Sequence, residues 1–348
     1  MRTCLSLFFL LTFTLTAYSQ NAYLKVTAQK GDGILTLLRR HGLTPAASLK
    51  AFIELNKENL GKGNSLYAGK TYLLPPPAPD ASEEVPETTA GASAKAKATP
   101  GKLEVPLFGE KYAHVDVVDQ QLEGAVYYLL AGHGGPDPGA VGKYGPYALA
   151  EDEYAYDVTA RLARTLMEHG ATVYMIIQDA DDGIRDENIL KMDRDEITYP
   201  GMPIPYSQRE RLRQRTNAVN KLYAAHKGVY QRMLSIHVDS RSESQNIDVF
   251  FYHHENSPAG RQLAESIHHT FTSKYSRHQP NRDYSGTVSQ RSSLYVVKYS
   301  DPPTVFIELG NIRNDLDQRR FVIANNRQAL ANWISEGIIA DFKAITEK

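Results

Sequence analysis

Cysteine is all but missing: the 348-residue sequence holds one, Cys4, near its start. A fold stapled by disulfides cannot be built from a single thiol, so packing, and a metal if one binds, must hold the domains together. An excess of charge of one sign is missing too. Lys+Arg 39 against Asp+Glu 40 leaves a net charge of -1, with no global positive surplus to hold a polyanion, so nucleic acid is not an expected partner. Beyond the opening segment no run is apolar enough for a transmembrane helix, and the chain has neither an HExxH helix nor a paired CxxC. What remains is ordinary globular composition, 42% hydrophobic and 23% charged, with room for about two or three domains.

The opening segment has the order of a secretory signal peptide over residues 1–20. Arg2 precedes an apolar run at 5–16, and the small residues Ala17 and Ser19 follow. Cleavage near residue 19 or 20 removes Cys4, which lies ahead of the apolar run and is badly placed for a lipoprotein cysteine. The expected mature chain is exported to the periplasm or the outer cell surface and has no integral membrane segment. Residues 76–105, rich in Pro, Ala, Thr, Ser, Glu and Lys and poor in large aliphatics, are expected to form a flexible linker. They separate a short unit at 21–75 from a long one at 106–348, which is large enough for an enzyme domain with a buried sheet.

The short unit reads as strand, helix, helix, strand: AYLKVTA, ILTLLRRHG ending at Gly42, ASLKAFIELN, then KTYLLP. With KGDG at 30–33, LLRRHGL at 37–43 and LYAGKTYLLP at 66–75, it resembles a LysM domain, a resemblance that implies binding to N-acetylglucosamine-containing glycan. Gly33 stands where that family usually has Thr or Ser, which removes a side-chain acceptor from the first helix. The alternative is a generic small βααβ adaptor.

In the long unit, apolar β-branched runs alternate with helical patterns. GAVYYLLAG at 124–132, TVYMII at 172–177, RMLSIHV at 232–238, IDVFFYH at 247–253, LYVVKY at 294–299 and TVFIELG at 304–310 are separated by helices expected at 153–169, 208–225 and 259–275, with a terminal helix at 316–339. The fold class implied is α/β, with a mainly parallel sheet covered by helices. Its site is expected at the carboxyl ends of the strands.

Polar residues sit at those ends. His133 follows the first run in a Gly- and Pro-rich loop, and His237 closes another. Glu308 ends a strongly apolar strand, where a carboxylate needs a cation, a donor or a raised pKa. Glu153 opens a helix and can point across a pocket, although Glu151 and Asp152 compete with it on composition alone. Two imidazoles and a carboxylate suit zinc, with a further carboxylate to move protons.

Five segments occur together in order: GHGGPDPGAVG at 132–142, EYAYDVTARLARTLMEHGATV at 153–173, RQRTNAVN at 213–220, LSIHVDS at 234–240 and VFIELGNIRNDLD at 305–317. In this the long unit resembles the zinc-dependent N-acetylmuramoyl-L-alanine amidases of the Amidase_3 type. The resemblance implies one catalytic Zn2+ held by His133, Glu153 and His237, with Glu308 as the catalytic glutamate. It further implies cleavage of the amide between N-acetylmuramic acid and the L-alanine of the stem peptide, so peptidoglycan glycan and stem peptide are the expected partners, beside a possible protein activator.

Several positions depart from the family pattern. Leu130 and Ala131 stand where Asp-Pro is usual, Asp157 and Val158 where Asn and a leucine are usual, and Gln178 and Asp179 where Thr-Arg is usual. These departures keep open a catalytically inactive peptidoglycan-binding or regulatory protein with an amidase-like fold. The polar excursion at 179–208 is long for its connection; it is either solvent-facing decoration or a border or cover of the site. Arg215 and Asn220 are expected to orient loops, and Tyr252, His253 and His254 to form a strand edge and loop rather than a metal group.

Overall fold

A computed structural model describes residues 23–347, apart from 31, 42, 44 and 76–100. The signal peptide expected at 1–20, the helix stop expected at Gly42 and most of the expected linker lie outside those residues. The chain divides into two units, Met1–Glu87 and Thr88–Lys348.

In the first unit, β1 (Leu24–Thr27), α1 (Ile34–Arg40), α2 (Pro45–Asn56) and β2 (Thr71–Leu74) follow in order. The two strands pair antiparallel, Leu24 opposite Leu74 and Thr27 opposite Thr71. Leu37, Leu38, Phe52 and Tyr72 are buried between strands and helices and form the small core. Asn56, itself buried, ties α2 to β2: its Nδ2 donates to the Leu73 carbonyl and its Oδ1 accepts from the Leu73 amide, both at 2.8 Å. A core this size gains little from burial alone, so such a paired buried amide matters to its uniqueness.

The second unit begins earlier than its sequence suggests. Lys102–Glu104, assigned above to the linker, is a strand, β3, paired antiparallel with β4 (His114–Asp116). Then come β5 (Ala125–Ala131), the hairpin β6 (Val141–Tyr144) and β7 (Tyr147–Ala150), α3 (Glu151–Glu168), β8 (Thr172–Met175), and the short β9 (Ile177–Gln178), β10 (Ile197–Thr198) and β11 (Met202–Pro203). The rest is α4 (Gln208–Ala225), β12 (Tyr230–Asp239), β13 (Phe250–His253), α5 (Pro258–His278), β14 (Val288–Gln290), α6 (Tyr295–Tyr299), β15 (Thr304–Asn311), α7 (Asp315–Val322) and α8 (Ala324–Thr346).

Six strands form the central sheet in the order β14-β13-β15-β12-β5-β8. The run from β15 through β12 and β5 to β8 is parallel, β13 is antiparallel to β15, and β14 is parallel to β13. Every residue of β5 is buried, as expected of a strand covered on both faces. Helices α3 and α5 pack on the sheet and α8 packs on both of them, while α4 packs against α6.

Two segments differ from the sequence reading. LYVVKY is largely helix α6: the consecutive Val296 and Val297 are both buried, which an alternating one-sided strand would not give. The terminal helix is broken at Ile323, whose extended backbone (φ -89°, ψ 114°) ends α7 and begins α8. Among the described residues no helix is long and apolar enough to cross a membrane.

Candidate metal centre

The parallel register brings the strand-end residues together. β12 lies between β5 and β15, with Ile236 beside Ala131 and His237 beside Glu308. The Gly132 amide still donates to the Ile236 carbonyl at 2.7 Å, after which the chain leaves the sheet and presents His133. His133 holds φ at 58°, a left-handed conformation rare for a side chain other than glycine. Gly132 is required for close approach: a Cβ there would meet His237 Nδ1 at 2.5 Å.

The carboxylate that joins the two imidazoles is Glu151. Its Oε2 lies 3.3 Å from His133 Nε2 and its Oε1 3.0 Å from His237 Nδ1, and His133, Glu151 and His237 form a group able to hold a metal ion. Backbone donors fix it as well, Ala140 on Oε2 at 2.8 Å and Val238 on Oε1 at 3.1 Å. Glu153, expected from the sequence to be the third ligand, faces elsewhere. Arg185 Nη1 donates to its Oε2 at 2.9 Å and the Asp193 amide to its Oε1 at 3.0 Å. Two positions along an α-helix are about 200° around its axis, so both carboxylates cannot address one point. The structure therefore replaces Glu153 by Glu151 in the cluster.

The imidazoles are held from behind. His133 Nδ1 meets Asp137 Oδ2 at 3.0 Å, the same oxygen accepts from Arg211 Nη2 at 2.6 Å, and Arg215 donates to the His133 carbonyl. With Nδ1 engaged by a carboxylate, Nε2 is left for the metal group, the usual way a supporting shell fixes a tautomer. The His237 ring stacks on Phe306, centroids 4.1 Å apart at 16°. Asp137 and Arg211 were missed in the sequence; the signal for Asp137 was its place in the turn GPDPG.

Charge follows this geometry. Burial alone would lower the His133 pKa, but Asp137 and Glu151 outweigh it and push it up to about 10. Burial likewise favours neutral Glu151, and its two imidazoles override this and hold it below the usual carboxylate range. His237 moves down, first through burial, so it tends to the neutral form a metal needs. Glu308 is not a member of the ligand group. Its Oε2 is buried without a hydrogen-bond partner, and burial followed by the carboxylates of Glu151 and Asp239 raises its pKa well above the ordinary value. All four residues line one cavity of about 360 Å³, with Arg211 and Tyr295 among the other lining residues.

The excursion at 179–208 is not simple decoration. Ile184, Leu190, Glu196 and Thr198 are buried in it, and β9, β10 and β11 form a small antiparallel sheet. Asn220 bonds the Tyr299 carbonyl and the Asp301 amide, at 2.9 and 2.8 Å, and so orients a loop. His253 Nδ1 meets the His254 carbonyl at 2.9 Å, and neither residue belongs to a metal group among the described residues.

Two imidazoles and a glutamate thus converge at the carboxyl edge of a mainly parallel sheet in an α/β domain, a group able to hold a metal ion where such sheets carry their sites. The chain belongs to the Amidase_3 family, N-acetylmuramoyl-L-alanine amidase, which it matches over residues 128–340. It is 26% identical over 224 residues to a probable cell wall amidase, LytH, of Staphylococcus aureus, covering 64% of this chain and 60% of that protein. The chain thus spans about 60% of the length of the curated relatives it matches. Among solved structures it is similar to the CwlD amidase of Clostridioides difficile in complex with the GerS lipoprotein, at 18% identity and TM-score 0.47, over 63% of this chain and 98% of that one. It is also similar to the apo N-acetylmuramyl-L-alanine amidase Ami1 of Mycobacterium abscessus, at 16% identity and TM-score 0.47, over 63% and 99%.

Proposed function

We propose that the protein is a zinc-dependent peptidoglycan hydrolase that cleaves the amide between N-acetylmuramic acid and the L-alanine of the stem peptide. The observation that carries this reading is the convergence of His133, Glu151 and His237 beside a buried, unpartnered Glu308 oxygen. The donor set suits zinc: two imidazoles and one carboxylate leave a position for water and substrate. A bound Zn2+ supplies Lewis acidity, which lowers the pKa of a water and polarises the amide carbonyl.

The chain's own residues do the rest. Asp137 and Arg211 hold the His133 ring, while Phe306 holds His237. Glu308 Oε2 is free to take the proton of the attacking water and return it to the leaving alanine nitrogen. Burial makes it more basic than an ordinary carboxylate, which suits both steps.

The first unit we read as a LysM-like glycan-binding domain. Its strand-helix-helix-strand order supports that reading, and tethering would raise the concentration of the hydrolytic domain at its polymeric substrate. Export to the periplasm or outer cell surface belongs to the same reading. The test incubates purified protein with intact sacculi, with and without chelator, and identifies released products by mass spectrometry. Stem peptides with free L-alanine amino termini, absent under chelation, are expected; unchanged sacculi with zinc correctly loaded would leave only a wall-binding role.

A further inference from the structure

A second carboxylate cluster, with no imidazole in it, lies in the segment between β9 and β10. Asp193, Asp195 and Glu196 place carboxylate oxygens within 4.8 Å of one another, and Glu196 also forms such a group with Asp152 and Glu153 of α3. Acidic side chains crowd together on many surfaces, so the crowding by itself assigns nothing. The helix supplies a separate observation. Asp152 is only 1% exposed; its Oδ1 accepts from the Glu153 amide at 3.0 Å, and its Oδ2 is buried with no donor. A carboxylate oxygen withdrawn from water and left unpaired is costly unless something positive meets it.

The buried Arg215 guanidinium and the His133 imidazole act on Asp152 from a distance, but no cation is in ion-pair contact with it among the described residues. Glu153 and Glu196 are 2% and 5% exposed, and both are acceptors here. Arg185 pairs with Glu153 and is shared with Asp182; among the described residues no other cation is in ion-pair contact with Asp152, Glu153 or Glu196. Glu153 has Arg185 in contact, whereas Asp152 and Glu196 have no cation in contact, and two such buried carboxylates match the charge of a divalent cation. The donors are all hard oxygens, and carboxylates at irregular spacing suit the flexible coordination of calcium better than the strict octahedron of magnesium.

We propose that Asp152, Glu153 and Glu196 hold a divalent cation of the calcium class, with Asp193 and Asp195 closing the site toward solvent. The site couples to the histidine centre through covalent and hydrogen-bonded neighbours. Asp152 directly follows Glu151, and Glu196 Oε2 accepts from the Gly135 amide at 2.6 Å, two residues beyond His133. Occupancy therefore fixes the acidic segment onto both the helix and the loop that carry the imidazole cluster.

The test is a binding measurement and does not depend on hydrolysis. Full-length protein is stripped of metal, given one equivalent of Zn2+, and titrated with Ca2+ by calorimetry, with Tb3+ luminescence as a second probe. One Ca2+ per chain is expected, with zinc retained and the melting temperature raised by calcium. Asp152→Asn, nearly isosteric, and Glu196→Gln should each weaken Ca2+ binding at least tenfold at unchanged zinc content. Asp195→Asn, at the exposed edge, should weaken it less and keeps the test decisive should the buried variants fold poorly. The proposal is overturned if millimolar Ca2+ does not bind, if it binds only by displacing zinc, or if the three variants bind it like the parent; a proton shared between the carboxyl groups would then account for Asp152.

Discussion

Exchanging Glu151 for alanine, with Glu153→Ala as its partner experiment, separates two carboxylates that lie one residue apart. Glu151 touches both imidazoles, at 3.3 and 3.0 Å, and receives the Ala140 and Val238 amides. Four-ligand zinc sites are worth about 10–16 kcal/mol, so one ligand carries about 3 kcal/mol and its loss weakens zinc roughly a hundredfold. Glu151→Gln, which keeps the acceptors but not the charge, should fall between alanine and the parent. Glu153→Ala removes one of the two carboxylates on the buried Arg185, the other being Asp182. With one partner remaining, its cost sits at the low end for a broken buried pair, about 3 kcal/mol, or roughly 6–12 °C in Tm. Zinc retained after dialysis against a competing chelator, measured by mass spectrometry, reads the first effect, and thermal unfolding reads the second. The reasoning fails if Glu151→Ala holds zinc like the parent, or if Glu153→Ala loses zinc to the same extent.

Other expectations follow from neighbouring contacts. Glu308→Gln should keep its zinc yet lose about 10²–10⁴-fold in turnover on sacculi, as expected for a residue that moves protons; comparable activity would remove it from that role. Gly132→Ala places a methyl 2.5 Å from His237 Nδ1 and should lower zinc occupancy, which metal analysis of the folded variant would detect. Arg327→Met removes one of the two guanidinium partners of buried Asp157, leaving Arg161, and takes the Arg327 donors from the Val322 and Glu187 carbonyls, a loss of about 3 kcal/mol, the low end for a broken buried pair, that urea unfolding would measure. Deleting residues 23–75 should reduce co-sedimentation with sacculi while leaving turnover of a soluble muramoyl-peptide unchanged; undiminished sedimentation would count against the LysM-like reading.

Much of the domain could be read from the sequence because its parallel strands are nearly uninterrupted apolar runs, so the polar residues closing them, His133, His237 and Glu308, stood out by contrast. The third carboxylate could not be read the same way. Glu151, Asp152 and Glu153 are consecutive, and only the rotation of α3 decides which faces the imidazoles. A clue lay further along the helix: Glu153, Asp157 and Arg161 recur every fourth residue, and that stripe is the one occupied by arginine pairs. The LYVVKY segment misled because a five-residue helix is too short to show its period. The support of His133 by Asp137 and Arg211 joins residues 74 apart in sequence, a contact no local pattern records.

Asp157 has a consequence for the order in which the domain assembles. Its Oδ2 takes both Arg161, one turn along the same helix, and Arg327 from α8, while Oδ1 takes the Arg185 amide. Arg327 in turn caps the carbonyls of Arg185 and Glu187. The stretch around Arg185, which also engages Glu153 beside the metal cluster, thus depends on a side chain supplied by the final helix. A chain still emerging during synthesis would carry its histidines and Glu151 well before it carried Arg327, so the stretch around Arg185 settles only when α8 docks. Pulse-labelling hydrogen exchange should find the amides at 185–187 gaining protection together with α8, later than those of β5 and β12.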